Sequence, residues 1–375
     1  MIEVVFEDKS TKKFVIGDDT TVSELNQKIA SKIQLTVDTE AFASFESFSD
    51  GGVTYDRFLL PENLVPRVTP PNTLVYKRRH FLETNMTDAV AVHMTFIQMR
   101  EEVLRGYYVL DEHDFLELAA VDLRVTFGQP SASKHKSGFL TSAGLVNRFI
   151  PTGIIERKKP AQWEKQLLEA YIRLGSSSIA SEFEGKVRYL NMLKEMVPDV
   201  FGSVFYEGVE VIPIDGGEPK RRPGIIAINK NGIYTYYKPL DMKKGKNWQN
   251  MQIRVNSFRE IIGWALHAPT STFAYSVPGP TAEQPVRFCF ETPLANELPS
   301  MCQLVVDAIL AEMEQKKPKE SEQHKEEEKE EEKAKEDEQT KDEEKNENKT
   351  EEEKKEEKNE TIEEEKKEDA SKAQE

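Results

Sequence analysis

The segment that most constrains the fold is Asp111 to Phe127, a run with apolar residues on two stripes, Phe115/Leu118/Ala119 and Leu116/Ala120/Leu123/Phe127. Asp111 is a good N-cap, and Gly128-Gln129-Pro130 stops the run. A helix apolar over so much of its circumference needs neighbours on several sides, so the spacing predicts the inner helix of a bundle. Phe96, Met99 and Val103 recur at three and four residues before Gly106 and predict the preceding helix. Pro160 opens a third pattern through Trp163, Leu167, Ala170, Tyr171 and Leu174 up to Gly175. A last helix, with N-caps offered by Ser176 to Ser178, runs through Ile179, Phe183, Val187, Leu190 and Leu193 to Pro198.

Either side of this bundle the period is two. Ile2 to Phe6 and Phe14-Val15-Ile16 read as strands about a Lys9-Ser10 turn, followed by a capping box at Thr21 to Glu24 and a helix with Val22, Leu25, Ile29 and Ile33 on one face. Phe42 to Phe48, Val53-Thr54-Tyr55 and Leu74-Val75-Tyr76 complete a strand, strand, helix, strands order. Beyond Phe201, strands are predicted at Phe201 to Ile212, Gly224 to Asn229, Ile233 to Tyr237, Gln252 to Val255, Ile261 to Leu266, Thr272 to Val277 and Val286 to Glu291. Asn231-Gly232 signals a tight hairpin. A closing helix over Leu294 to Glu314 places Met301, Leu304, Val305, Ala308 and Ile309 on its inner face.

At 375 residues the chain is too long for one ordinary core. Its net charge of -16 is uneven: from Lys316 onward there are 16 Lys against 27 Asp plus Glu, and Ile362 is the only large apolar residue. Such a tail cannot bury enough surface to offset chain entropy, so it is predicted to be disordered. Two cysteines, Cys289 and Cys302, are too few for a disulfide framework and fit a reducing cytosol. The start Met1-Ile2-Glu3-Val4-Val5 has no basic region followed by an apolar core, and no Gly at position 2 for myristoylation.

Several motifs carry a family resemblance. Gly106-x-Tyr108 before the inner helix, Leu118-Ala119-Ala120 within it, Phe127-Gly128 at its end, Lys134-His135-Lys136-x-Gly138-Phe139-Leu140 after it, and Glu184-Gly185-Lys186-Val187-Arg188-Tyr189 later resemble the helical middle lobe of a FERM domain of the talin type. The resemblance implies a multi-domain α+β architecture. A ubiquitin-like β-grasp spans 1–79, an acyl-CoA-binding-protein-like helical bundle 80–197 and a PH/PTB-like β-sandwich with a C-terminal helix 198–315. A disordered Glu/Lys-rich tail follows at 316–375.

No enzyme signature stands out. Asp215-Gly216-Gly217-Glu218-Pro219 is acidic and suits a hairpin loop, not a phosphate cradle. The six histidines show no metal-ligand spacing, His135 between two lysines reads as a surface residue, and neither cysteine sits in a pattern that activates a thiol. No catalytic residue, metal or cofactor is therefore expected.

Binding is expected instead. Ile261-Ile262-Gly263-Trp264-Ala265-Leu266 resembles the groove strand of talin third lobes, with Trp264 at their tryptophan position and Gly263 where they carry Arg. By that resemblance Ile261, Ile262, Gly263, Trp264 and Ala265, with Met301, Val305 and Ala308 of the closing helix, line a groove for the cytoplasmic tail of a transmembrane receptor. Anionic phospholipids or phosphoinositides are expected at Lys134 and Lys136, which match lipid-facing lysines of the talin middle lobe, and at Lys220, Arg221 and Arg222. Lys77-Arg78-Arg79-His80, Arg157-Lys158-Lys159 and Lys243-Lys244-x-Lys246 are further basic clusters, and the acidic tail is expected to compete with lipid for such patches. The implied role is a cytoplasmic, non-catalytic adaptor at the inner face of the plasma membrane, linked to the cytoskeleton. A small GTPase bound through Lys12, Lys13, Lys28 and Lys32 of the first lobe is the alternative. Nucleic acid is not expected, because the net charge is negative and no recognition motif occurs.

Overall fold

The computed structural model describes residues 1–81, 86–131, 133–175, 179–214, 216–237, 252–281 and 284–314. The tail from 316, the Lys243/Lys244/Lys246 cluster, Asp215 and Ser176 to Ser178 lie outside them. The chain divides into two bodies, Met1–Ala308 and Ile309–Glu375, and the first holds every strand among the described residues.

Five strands open the chain: β1 (Ile2–Phe6), β2 (Thr11–Phe14), β3 (Phe42–Asp50), β4 (Val53–Phe58) and β5 (Thr73–Arg78), in sheet order β2-β1-β5-β3-β4. Helix α1 (Val22–Ile33) begins at the expected capping box, where the Thr21 hydroxyl accepts the Glu24 N–H and the Glu24 carboxylate accepts the Thr21 N–H. Its stripe of Val22, Leu25 and Ile29 is fully buried, and Leu25 and Ile29 join Val4, Phe6, Phe14, Leu74 and Tyr76 in one core.

Four helices follow: α2 (Ala89–Arg105), α3 (Glu112–Phe127), α4 (Pro160–Leu174) and α5 (Glu182–Met196). Asp111 caps α3 by accepting the Asp114 N–H, and Gly128 ends it with φ of 77°. The two stripes are why α3 lies between neighbours: Phe115, Ala119 and Leu123 pack with Trp163 and Tyr171 of α4, while Leu118 and Val121 pack with Phe96, Met99, Tyr189 and Leu190 of α2 and α5. The cap of α5 is Ser181 rather than Ser176 to Ser178, and Ile179 sits in the core just before it.

Seven antiparallel strands form the second sheet: β6 (Val204–Ile212), β7 (Lys220–Asn229), β8 (Gly232–Tyr237), β9 (Gln252–Asn256), β10 (Gly263–His267), β11 (Thr272–Val277) and β12 (Val286–Glu291). Their order is β10-β11-β12-β6-β7-β8-β9, which leaves β10 and β9 at the edges. A helix, α6, covers 298–314. Residues 294–297 form turns instead of the expected first helical turn, because Pro299 has no N–H to continue a helix from 294 and fits only the first turn; the Glu297 carboxylate accepts the Phe58 backbone N–H at 2.9 Å.

Polar contacts join these parts. Asp88, the α2 N-cap, also accepts the backbone N–H and hydroxyl of Thr36. Tyr107 donates to Glu207 at 2.6 Å. Arg78, in the cluster read as membrane-facing, is buried: its guanidinium donates to Asp38, Thr95 and the His80 carbonyl. Lys77 donates to Asp56 at 2.5 Å, and Arg79 lies 3.8 Å over the Phe58 ring. The cluster at 77–80 is joint material between parts of the molecule.

Candidate docking surfaces

Strand β10 pairs with β11 from Gly263↔Ser276 to His267↔Thr272, and the Ile262 N–H extends the ladder to the Ser276 carbonyl at 2.9 Å. Its other side has no strand partner among the described residues, so a row of backbone donors and acceptors is open to an added strand. Ile262 is 64% exposed, Ala265 is exposed, and Ile261, Gly263 and Trp264 are half-buried. Trp264 meets Phe258 edge to face, with ring centroids 6.2 Å apart. A Cβ at Gly263 would meet nothing within 4 Å, so the site has room where talins are expected to carry Arg.

The α6 members of the expected groove divide. Ala308 is half-buried, whereas Met301 and Val305 are 4% and 2% exposed. With Leu298 and Cys302 they repeat every three or four residues and form the helix face that turns inward, so neither presents side-chain surface to a ligand.

The basic loop after α3 is built from below. The carboxylate of Glu164, on α4 and buried, accepts the backbone N–H groups of Gly138 (2.9 Å), Leu140 (2.5 Å) and Thr141 (3.1 Å) and the Thr141 hydroxyl (2.9 Å). Burial pushes its pKa up, but these four donors outweigh burial and hold the acid below its ordinary range. His135 is not the surface residue expected from its sequence neighbours. It is 7% exposed, with its ring 4.7 Å from Phe139 and 5.2 Å from Tyr171, and its Nδ1 accepts the Ser131 N–H. Burial, and then the charge of Lys134, lowers the histidine pKa. With His135 turned in, Lys134 and Lys136 are both turned out and exposed. Nothing local in the sequence flags Glu164, which lies far along the chain next to the buried Trp163.

The basic triplet at β7 behaves differently. Lys220 is exposed, Arg221 pairs with Glu291, and Arg222 donates to Glu210 at 2.6 Å while lying 3.5 Å over Tyr237. Glu210 is buried and also pairs with Arg254 and accepts the Tyr237 hydroxyl, both at 2.8 Å. Burial raises the pKa of Glu210, and its Arg222, Tyr237 and Arg254 partners bring it below the usual carboxylate range. Arg222 is thus committed to the sheet, and Lys220 and Arg221 are the exposed residues of the triplet.

Among the described residues no group of three or more His, Cys, Asp and Glu side chains is placed to hold a metal ion, and no helix is long and apolar enough to cross a membrane. Cys302 is buried, and burial raises its thiol pKa.

A helical bundle between two sheets of different topology, the second ending on a free edge strand, defines a FERM-like fold. Residues 81–206 match the family model of the FERM central domain. The chain is similar to "FERM domain-containing protein C" of Dictyostelium discoideum, at 30% identity over 199 residues that make 52% of this chain and 13% of that protein. It is also similar to Talin-1 of Gallus gallus, at 26% identity over 164 residues, 43% of this chain and 6% of the talin. In fold it resembles the C-terminal MyTH4-FERM domain of human Myosin 7b solved in complex with the harmonin-a PDZ3 domain, with a TM-score of 0.60 and 18% identity over 82% of this chain and 60% of that one. The chain spans only a small part of the two curated relatives.

Proposed function

We propose that the protein is a non-catalytic, talin-like adaptor working at the cytoplasmic face of the plasma membrane, where it docks a receptor tail and anionic lipid and links them to the cytoskeleton. In this reading the lobes are 1–79, 80–197 and 198–315, and the segment 316–375 is an acidic tail. The observation that carries it is the open edge of β10 beside the exposed Ile262 and half-buried Trp264. An extended peptide with an Asn-Pro-x-Tyr-like turn adds to that edge as a strand, gaining specificity from Trp264 and Ala265. Ala308 is the member of the closing helix proposed to border the groove, while Met301 and Val305 pack inward beneath the helix.

Lipid binds at a separate place. Lys134 and Lys136 stand on a loop fixed by Glu164 and His135, so two ammonium groups meet a leaflet without ordering the backbone first. Each is worth on the order of 1 kcal/mol near an anionic surface. Lys220 and Arg221 add to this, with Arg222 as their anchor.

Co-sedimentation with vesicles of phosphatidylcholine with and without phosphoinositide, paired with titration of a fluorescent Asn-Pro-x-Tyr peptide, tests the two surfaces. Lys134→Glu with Lys136→Glu lowers vesicle binding and leaves peptide binding alone, and Trp264→Ala does the reverse. Loss of both activities in each variant, or of neither, counts against the assignment.

A second reading rests on β2, the opposite edge of the first sheet, where Lys12 and Lys13 are exposed beside Lys28 and Lys32 of α1. Lys32 donates to the Lys13 carbonyl, so helix and edge strand present one basic face. This face suits the acidic effector surface of a small GTPase. Preference for the GTP-loaded form in a pull-down supports it.

A further inference from the structure

The first sheet, the bundle and the second sheet meet around a small cavity of about 100 Å³, and Glu297 is the carboxylate that crosses it. It lies in the turn before α6, is 9% exposed, and accepts the Phe58 N–H of β4 at 2.9 Å, a contact between residues 239 positions apart. The cations nearby do not neutralise it. Lys77 is engaged by Asp56, Arg57 pairs with Glu46, and Arg79 lies over the Phe58 ring with its Nε buried and unpartnered. None of the three reaches ion-pair distance of Glu297.

The groups that line the cavity carry both signs, Glu7, Asp56, Glu101, Glu102 and Glu207 beside Lys77, Arg78, Arg79 and Arg105. β1 contributes Glu7, β4 contributes Tyr55 and Asp56, and β5 contributes Lys77 with Arg78 and Arg79 after it. Helix α2 contributes Glu101, Glu102 and Arg105, Tyr107 follows it, and β6 contributes Tyr206 and Glu207. Tyr206 is buried, and Glu207 already takes the Tyr107 hydroxyl. An ionised Glu297 therefore has one backbone donor and no cation at ion-pair distance, and Glu102 and Glu207 line the same cavity.

We infer that Glu297 is a proton-dependent latch between the first and second sheets: protonated, it seats against the Phe58 N–H and closes the joint, and on losing the proton it draws water into the cavity and opens it. The pKa agrees in direction with the geometry. Burial pushes Glu297 up to about 7 against the opposing pull of the Phe58 donor and of Lys77, Arg57 and Arg79, and burial likewise pushes Glu102, across the cavity, up to about 8. A carboxyl with a raised pKa in the closed state favours closure at low pH and loses that contribution as pH rises through its closed-state value. With ordinary behaviour once open, Glu297 alone makes opening about tenfold more favourable at pH 8.5 than at pH 6.

The test is hydrogen exchange at the Phe58 amide in the full chain at pH 6, 7 and 8.5, corrected for the intrinsic pH dependence of exchange and read beside small-angle scattering. Protection of Phe58 is expected to fall about tenfold from pH 6 to 8.5, with an increase in radius of gyration. Glu297→Gln keeps a neutral acceptor for the Phe58 N–H and cannot ionise, so its protection should stay level across the range. Equal protection of the wild type at pH 6 and 8.5, or the same fall in Glu297→Gln, overturns the latch. If Glu297→Gln does not fold, the wild-type profile decides: a fall at Phe58 without change at Val22, whose N–H bonds the Asn63 carbonyl inside the first sheet's module, supports the latch, and a parallel fall at both overturns it.

Discussion

At residue scale the sharpest device is the Glu164 clamp. One carboxylate satisfies three backbone N–H groups and a hydroxyl of a loop with no regular secondary structure, so removing its charge leaves buried donors under-satisfied. Glu164→Gln is expected to lower unfolding free energy by about 1–3 kcal/mol at pH 7, measured by urea denaturation. Because its folded-state pKa lies below the ordinary 4.5, the contribution is present above that value and fades as pH falls through the folded value. The gap between wild type and Glu164→Gln should therefore narrow on acidification. An unchanged gap at pH 3 speaks against the carboxylate as the source. The residues the loop displays, Lys134 and Lys136, were legible from a motif, and the residues that position it were not. His135 reads as surface because sequence neighbours say nothing about a ring that folds back onto Phe127, Phe139 and Tyr171.

At the scale of elements, periodicity revealed what depends on local repetition. β11 and β12 lie where alternation puts them, α3 ends at its glycine, and α1 starts at its capping box. Boundaries failed where a local device cut the periodic run short: Pro299 fits only the first turn of α6, and a turn closed by the Ile261 N–H on the Ser257 carbonyl starts β10 at Gly263 rather than Ile261. Gly185 shows why one motif residue is what it is. α5 runs so close to α3 that a Cβ there would stand 2.6 Å from Val125 Cγ2 and 3.4 Å from Ile179 Cγ2. Gly185→Ala gains helix propensity of about 1 kcal/mol and meets overpacking of about 1–3 kcal/mol, so net destabilisation is expected. Urea denaturation of Gly185→Ala beside Gly185→Ala/Val125→Ala checks this, since the second change removes the obstructing methyl group and should restore much of the loss.

For the whole molecule, polar contacts tie the parts pairwise: Thr36 to Asp88 at the surface, and Tyr107 to Glu207 and Phe58 to Glu297 in half-buried positions. No sequence pattern foretells them, since each joins residues from separate modules and depends on how those modules are set together. The same junction holds carboxylates whose pKa values burial raises, so the stability of the body is coupled to pH in a definite sense. Glu102 receives the Tyr108 hydroxyl at 3.2 Å and Gln98 at 3.4 Å, yet burial still pushes it up to about 8. Its folded-state pKa stands above the ordinary 4.5, so the stability it lends is complete below that value and is lost as pH climbs through 8. Glu102→Gln, which stays neutral and retains an acceptor for Tyr108, should leave the melting temperature nearly unchanged at pH 5. At pH 8.5 it should raise it by a few degrees, corresponding to about 1–2 kcal/mol. Differential scanning calorimetry at the two pH values decides: an equal rise at both marks a packing effect, and a rise confined to the alkaline side marks an acid that the junction keeps protonated.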